Sequence, residues 1–220
     1  MDTANLKKNN LNYPSSLNKH MGEDAPKTLF AIGNVDILRH NSTGLFCSQK
    51  CPGDLILKTY DLAQIFRHAG VTVIGGFHSP MERECLSILL RGTQPVIFCP
   101  AKNINGMLIK KEYKKPLEEG RLLFLSPFEE NHRRISVKTS YYRNLFVATL
   151  SDVIFVAHAG PSSKTEAFFK EILSWQKPIY TFDSDYNKNL IEMGAQPVKP
   201  ENVSDWEKMR KNMGNIVQSG

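Results

Sequence analysis

Val71-Thr72-Val73-Ile74-Gly75-Gly76-Phe77-His78-Ser79-Pro80-Met81-Glu82-Arg83-Glu84-Cys85-Leu86 runs from a strand signal through a glycine pair into a helical pattern. Val71 to Ile74 have strong β preference and read as a short buried parallel strand, covered by helices on both faces. Gly75 and Gly76 lack Cβ, so the backbone can turn sharply there and a ligand can approach it closely. Ser79 suits an N-cap, Pro80 the first helical position and Glu82 the third. A strand, a glycine turn and a helix N-terminus together offer N–H groups and a positive dipole end to an anion. Phosphate is therefore the expected ligand of the Gly75 to Ser79 loop. The competing reading is a tight turn that lets strand and helix pack closely.

The same grammar recurs along the chain. Leu29 to Ile32, Gly44 to Cys47, Pro95 to Cys99, Arg121 to Leu125, Val153 to Ala157 and Pro178 to Thr181 are further strand candidates. Helical patterns follow from Asp54 to Gly70, with Leu55, Leu57, Leu62, Ile65 and Phe66 as an apolar stripe, then from Tyr142 to Leu150 and from Thr165 to Trp175. Asn187 to Met193 and Val203 to Met213 read as closing helices. Strand and helix alternate at least five times, which predicts an α/β fold, a Rossmann-like three-layer domain with a mostly parallel sheet. Residues 1–25 are set apart as a flexible or extended N-terminal segment, and the domain is drawn at 26–220.

In such a sheet, ligands sit beyond the carboxyl ends of the strands. Three loops converge there: Ser48 to Gly53, Gly75 to Ser79 and His158 to Thr165. The last of these, His158-Ala159-Gly160-Pro161-Ser162-Ser163-Lys164-Thr165, repeats the design of small residues opening a helix. None carries G-x-G-x-x-G or G-x-x-x-x-G-K-[ST], so ordinary dinucleotide and P-loop readings are disfavoured.

Composition sets the frame. With 220 residues, 41% of them hydrophobic and 23% charged, the chain has enough apolar material for one full core. It holds 28 Lys and Arg against 22 Asp and Glu, a net charge of +6, which favours a polyanionic partner only mildly. Lys102, Lys110, Lys111, Lys114 and Lys115 read as a solvated face. No apolar run approaches a membrane span and no secretory h-region is visible, so the expected location is the cytoplasm, with no membrane contact. Cys47, Cys51, Cys85 and Cys99 include no C-x-x-C pair and read as reduced structural thiols, with no metal expected.

An ordered set of matches then points to a family. Tyr13-Pro14-x-x-Leu17, followed by Ala25-Pro26-x-x-Leu29-Phe30-x-x-Gly33-Asn34, resembles the lead-in of the DNA-processing protein A family, DprA or Smf. Cys47-Ser48-Gln49-Lys50 aligns with that family's glycine-serine-arginine-lysine loop, and Gly75 to Glu82 with its serine-glycine-leucine-alanine-arginine-glycine-isoleucine-aspartate stretch. Arg143-Asn144-Leu145-Phe146 resembles its arginine-asparagine-arginine-isoleucine helix, and Gly160-Pro161-Ser162-Ser163 its serine-glycine-serine loop. The resemblance implies a Rossmann-like domain that binds single-stranded DNA, forms a homodimer and helps load a recombinase during transformation. Gln49, Ser79 and Leu145 stand where the family usually has arginines, which removes three bidentate phosphate donors.

The phosphate-binding set expected from these loops is Ser48, Lys50, Gly75, Gly76, Phe77, His78, Ser79, Arg143, Asn144, Gly160, Ser162, Ser163, Lys164 and Thr165. Arg133, Arg134, Lys138, Tyr141, Tyr142 and Arg143 form the one basic segment with interleaved aromatics, the pattern that single-strand binders use. No catalytic residue and no cofactor is expected. The alternatives are a Rossmann-like sensor of a small nucleotide, or a nucleotide phosphoribohydrolase using Glu82, Glu84 or Glu166 with His78 or His158.

Overall fold

The computed structural model describes residues 3–10 and 12–199; the helix expected at Val203 to Met213 lies outside them. In chain order the regular elements are β1 (Ala4–Lys7), α1 (Ser16–Met21), β2 (Thr28–Gly33), β3 (Ser42–Cys47), α2 (Gly53–His68), β4 (Thr72–Gly75) and α3 (Pro80–Leu89). Then come β5 (Val96–Phe98), α4 (Lys111–Glu118), β6 (Leu122–Ser126), α5 (Val137–Leu150), β7 (Val153–His158), α6 (Lys164–Ile172), β8 (Ile179–Phe182), α7 (Lys188–Glu192) and β9 (Gln196–Val198). The strands form one sheet in the order β1-β2-β6-β5-β4-β3-β7-β8-β9. All neighbours pair in parallel except β1 with β2 and β2 with β6, which are antiparallel. The architecture is the three-layer Rossmann-like α/β fold read from the alternation of elements.

The near-continuous apolar runs of the central strands follow from helices on both faces. Val73, Leu122 and Phe155 join Leu62 and Phe66 of α2 and Cys85 and Leu89 of α3 in one core layer. Their immediate neighbours Ile74, Leu123 and Ile154 point the other way, into a layer with Phe146 of α5 and Phe168 and Phe169 of α6. Each of these side chains is fully enclosed, and each such burial contributes about 1.5–3 kcal/mol.

Helix α2 buries Leu55, Thr59, Leu62, Ala63 and Phe66, whereas Leu57, assigned above to the stripe, is exposed. Helix α5 starts at Val137 rather than Tyr142, because Ser136 and Thr139 form a reciprocal cap in what reads as polar connector. The segment before residue 26, set apart above, packs against the domain where it is described: β1 pairs with β2, and Leu6, Tyr13 and Leu17 are buried.

One topological feature positions the site. From β3 the chain moves through α2 to β4 on one side, and from β7 through α6 to β8 on the other. Strands β3 and β7 are parallel neighbours from which the winding proceeds in opposite directions across the sheet, and the crevice beyond their carboxyl ends is the expected ligand position in such a sheet.

Candidate nucleic-acid interface

The β3–α2, β4–α3 and β7–α6 loops meet at this carboxyl edge, and hydrogen bonds tie them together. The Ser48 N–H donates to the His158 carbonyl at 2.9 Å, joining the first loop to the third. Glu82 joins the first to the second. Its Oε1 accepts from the Cys47 N–H at 3.0 Å, and its Oε2 accepts from the N–H groups of His78 at 2.8 Å and Ser79 at 3.2 Å. The Ser79 hydroxyl in turn accepts the Glu82 N–H, completing the capping box expected from the sequence.

Within the Gly75 to Ser79 loop, read above as a phosphate cradle, the helix-start amides are engaged by the protein itself. The N–H groups of His78 and Ser79 already hold an anion, and it is the protein's own Glu82 carboxylate. The glycines have other reasons to be glycine. A Cβ on Gly76 would lie 1.9 Å from the Arg143 guanidinium carbon, and one on Gly75 would meet the Phe77 ring at 3.0 Å. The pair is a seat for two side chains, and Phe77 itself takes a left-handed φ of 44° to fit it.

The third loop is built alike. Ser163 caps α6 by accepting the Glu166 N–H, Ser162 has φ 57°, and the Ser162 N–H donates to Glu166 Oε2 at 2.9 Å. Asn189 donates to Glu166 Oε1 and to the Ala159 carbonyl, so the loop is also held from α7. The Asn189 amide, then the Ser162 N–H and Lys170, hold the Glu166 carboxyl below its ordinary range against the opposing effect of burial. Ser163, Lys164 and Thr165 remain at or near the surface, with the first-turn N–H groups that a helix cannot bond internally.

His158 is buried beside this loop. Asn187 donates through Nδ2 to the Ala157 carbonyl and the Thr181 hydroxyl, so its Oδ1 faces His158 Nδ1 at 2.9 Å as an acceptor. The neutral ring then carries its proton on Nδ1, and Nε2 is left as the acceptor. A cavity of 410 Å³ opens here between His158, Pro52, Pro161, Tyr186 and Lys188. Ser48 lies close by in the chain with a buried hydroxyl that finds no partner, while Lys50 projects into solvent.

Arg143 is 4% exposed, which no surface reading of the chain anticipates. Its Nε donates to Asn144 Oδ1 at 2.9 Å and its Nη1 to the Cys99 carbonyl at 3.1 Å. Among the described residues no carboxylate forms an ion pair with it. Burial pulls its pKa down from the ordinary arginine value, opposed by the nearby Glu82 charge. The guanidinium forms one wall of a cavity of 240 Å³ that Gly76, His78, Lys102 and Lys110 also line. The floor is aromatic: Phe98 packs edge-on against Phe77 at 5.5 Å and Tyr113 at 6.1 Å, and lies against Phe124 at 5.2 Å. Lys110 sits 5.9 Å above the Tyr113 ring. Leu108, 92% exposed, and Ile135 form its rim.

The structure therefore divides the expected residues between two places. Gly76, Phe77, His78 and Arg143 surround the aromatic cavity. Ser48 and Lys50 lie on the β3–α2 loop and Gly160 to Thr165 on the β7–α6 loop and the start of α6, where the Ser48 N–H donates to the His158 carbonyl and a Cβ on Gly160 would sit 3.6 Å from His158 Nε2; Gly75 seats Phe77, Ser79 caps α3 and Asn144 holds Arg143. Sequence reading missed Lys102, Lys110, Phe98 and Tyr113; the available signal was that Pro100 to Lys110 directly follows a parallel strand. Arg133 and Arg134 line an adjoining open cleft with His132 and Thr139. Tyr142 is a brace, its hydroxyl donated to the Asp24 carbonyl at 2.6 Å and its ring on Phe128, while Tyr141 is exposed. Among the described residues no group of three or more His, Cys, Asp or Glu is arranged to hold a metal ion, and no helix is long and apolar enough to cross a membrane.

Fold and site together define a Rossmann-like domain with a basic, aromatic-floored carboxyl edge. The chain belongs to the DNA recombination-mediator protein A family, whose model matches residues 5–208. It is similar to the X-ray structure of DNA processing protein A (DprA) from Streptococcus pneumoniae, at 18% identity and TM-score 0.74, over 91% of this chain and 72% of that one. It is also similar to DNA processing protein A from Helicobacter pylori, whose structure is described by its single-stranded DNA binding mode, at 19% identity and TM-score 0.75, over 94% of this chain and 96% of that one. A more distant likeness, TM-score 0.54 at 16% identity, is to the molybdenum cofactor binding protein of Rippkaea orientalis, over 78% of this chain and 97% of that one. No match to the chain is found among curated proteins.

Proposed function

We propose that this protein binds single-stranded DNA along the carboxyl edge of the sheet and, as a homodimer, mediates its delivery to a recombinase. The observation that carries the reading is Arg143, a buried guanidinium without an ion pair among the described residues, facing a cavity shared with His78, Lys102 and Lys110. A desolvated cation of this kind gains most from an anion brought to it, and a phosphate fits the role. The aromatic floor and the adjoining Arg133 and Arg134 supply the remaining parts of a single-strand surface, stacking faces and a basic track. Family membership supports the same reading, as does the printed description of the Helicobacter pylori protein. Two of the three carboxylates considered for an enzyme, Glu82 and Glu166, are engaged in N–H bonds within the loops, which favours binding over turnover.

Fluorescence anisotropy with labelled single-stranded and duplex oligonucleotides over a salt series tests the proposal. Preference for the single strand is expected, with log affinity falling by about 0.7 per log unit of salt for each phosphate contacted. Lys102→Ala and Lys110→Ala should each lower that slope by about 0.7 and weaken all sequences alike. A slope of one or two phosphates, with mononucleotide binding equally well, would sink the DNA reading in favour of a nucleotide sensor.

A further inference from the structure

The 410 Å³ cavity at the carboxyl ends of β7 and β8 shares no lining residue with the aromatic one. Its volume is that of a small-ligand pocket. His158 lines it and is 7% exposed. The ring donates through Nδ1 to Asn187 Oδ1, so Nε2 is left as an acceptor, and no donor among the described residues meets it. Asn189 adds a second acceptor to the lining. Its Nδ2 donates to the Ala159 carbonyl at 3.0 Å and to Glu166 Oε1 at 2.6 Å, while its Oδ1 takes no hydrogen bond from the described residues. Each of these groups is oriented by bonds on its other side, so both acceptors are fixed before a ligand arrives.

Charge completes the pattern. Asp185 and Glu192 bring two exposed carboxylates to the lining against one ammonium, that of Lys188, which lies 3.9 Å from Glu192. Such a lining disfavours a phosphate, which can only accept, and calls for a ligand that brings N–H or O–H donors. Flat faces stand beside the acceptors: Pro52 ahead of α2, Pro161 in the β7–α6 loop, and Tyr186 in the turn before α7, where the Ser184 hydroxyl accepts the Tyr186 N–H at 3.4 Å. We propose that this cavity binds a nucleobase by its amino-bearing edge, with the ring stacked on Tyr186, and that guanine fits it best.

Among the common bases, guanine alone sets a ring N–H beside an exocyclic amine. Adenine and cytosine place a ring acceptor next to theirs, and thymine has a single N–H between two carbonyls. A fixed acceptor left unpaired in a buried site is costly, so the match of donors decides which base is held. A guanidinium group has the same donor edge but no ring to lie against Tyr186 and the prolines. The site stands apart from the single-strand reading. Its base belongs either to a free nucleoside or to a bound strand, and the chemistry that holds it is the same.

Isothermal titration of the full chain with guanosine, inosine, thymidine and methylguanidinium tests the site, alongside anisotropy with an oligothymidylate and the same strand carrying one central guanine. Guanosine should bind about tenfold or more tightly than inosine, which lacks the exocyclic amine, and thymidine and methylguanidinium should bind more weakly still. His158→Phe removes the buried acceptor and Tyr186→Ala the exposed stacking face, and each should weaken guanine recognition about tenfold or more. Free guanosine binding with no gain from the guanine in the strand assigns the site to a nucleoside. A gain in the strand that Tyr186→Ala abolishes assigns it to a base of bound DNA. Oligothymidylate affinity and its salt slope should be unchanged in Tyr186→Ala, which separates this site from the single-strand surface. The proposal is overturned if guanine is preferred in neither form, if inosine or methylguanidinium matches guanosine, or if Tyr186→Ala recognises guanine undiminished. Thermal melts establish that His158→Phe is folded, and Tyr186→Ala carries the test alone if it is not.

Discussion

Gly76 and Arg143 show how two residues far apart in the chain fix each other. The guanidinium lies where a Gly76 Cβ would be, so Gly76→Ala forces Arg143 out of its seat between the Asn144 and Cys99 oxygens. Overpacking of this sort costs about 1–3 kcal/mol, and thermal unfolding should register the loss. Oligonucleotide affinity should fall in the same variant, since the displaced cation no longer faces the cavity. The sequence offered the glycine pair as a ligand-approach motif, and the motif is present. What it approaches is an internal side chain, and that identity depends on where α5 packs, which no local pattern encodes.

At the level of the element, the helix ends carry much of the specification. Helix α5 ends under Lys177, whose ammonium donates to the carbonyls of Ala148 at 2.8 Å and of Thr149 and Ser151 at 2.6 Å. These are the acceptors that a helix C-terminus leaves open, at the negative end of its dipole. Lys177→Met keeps the stem and removes the donors; a loss of about 2 kcal/mol is expected by chemical denaturation. Helix α6 begins at the other kind of cap. Because its folded pKa is lowered, Glu166 adds stability that is present above the ordinary glutamate pKa and is lost as pH falls through the folded value. Glu166→Gln should flatten the acid limb of the stability–pH curve, measured by urea melts across that range. The cap at Ser79 was legible as a small hydroxyl residue three before a glutamate; Ser163 repeats that spacing, and α6 starts there one residue before the Thr165 expected. The start of α5 was hidden because Thr139 replaces the glutamate of that pattern.

Across the whole molecule, alternation of elements was enough to read the sheet, its two helical faces and the edge where ligands belong. The margins were not readable. Strand β1 buries Leu6 alone and β9 buries Val198 alone, so neither shows an apolar run; their pairing with β2 and β8 supplies the structure. The basic cavity wall escaped for a related reason. Lys102 and Lys110 look like any solvated lysines until the β5–α4 and β6–α5 loops are folded together, which they are by Asn103 donating to the Phe128 carbonyl at 2.7 Å. Glu82 is the joint of this edge, and Glu82→Gln leaves an amide whose nitrogen cannot accept from the N–H groups the carboxylate now holds. A loss of about 3 kcal/mol follows, or a melting temperature lower by roughly 6–12 °C. Hydrogen exchange at Cys47, His78 and Ser79 should accelerate together in that variant.

One carboxylate holds the β3 end and the β4–α3 turn together at three points, so the two segments share a single fastening. A phosphate competing for those amides would have to evict Glu82 and hold both segments at once. Under the proposed function, a strand is gripped by the lysines and arginines outside that carboxylate's reach, whose hold the surrounding salt can loosen. The proposed uptake and delivery of a strand is served by that division, since the grip can be released while the frame stays shut.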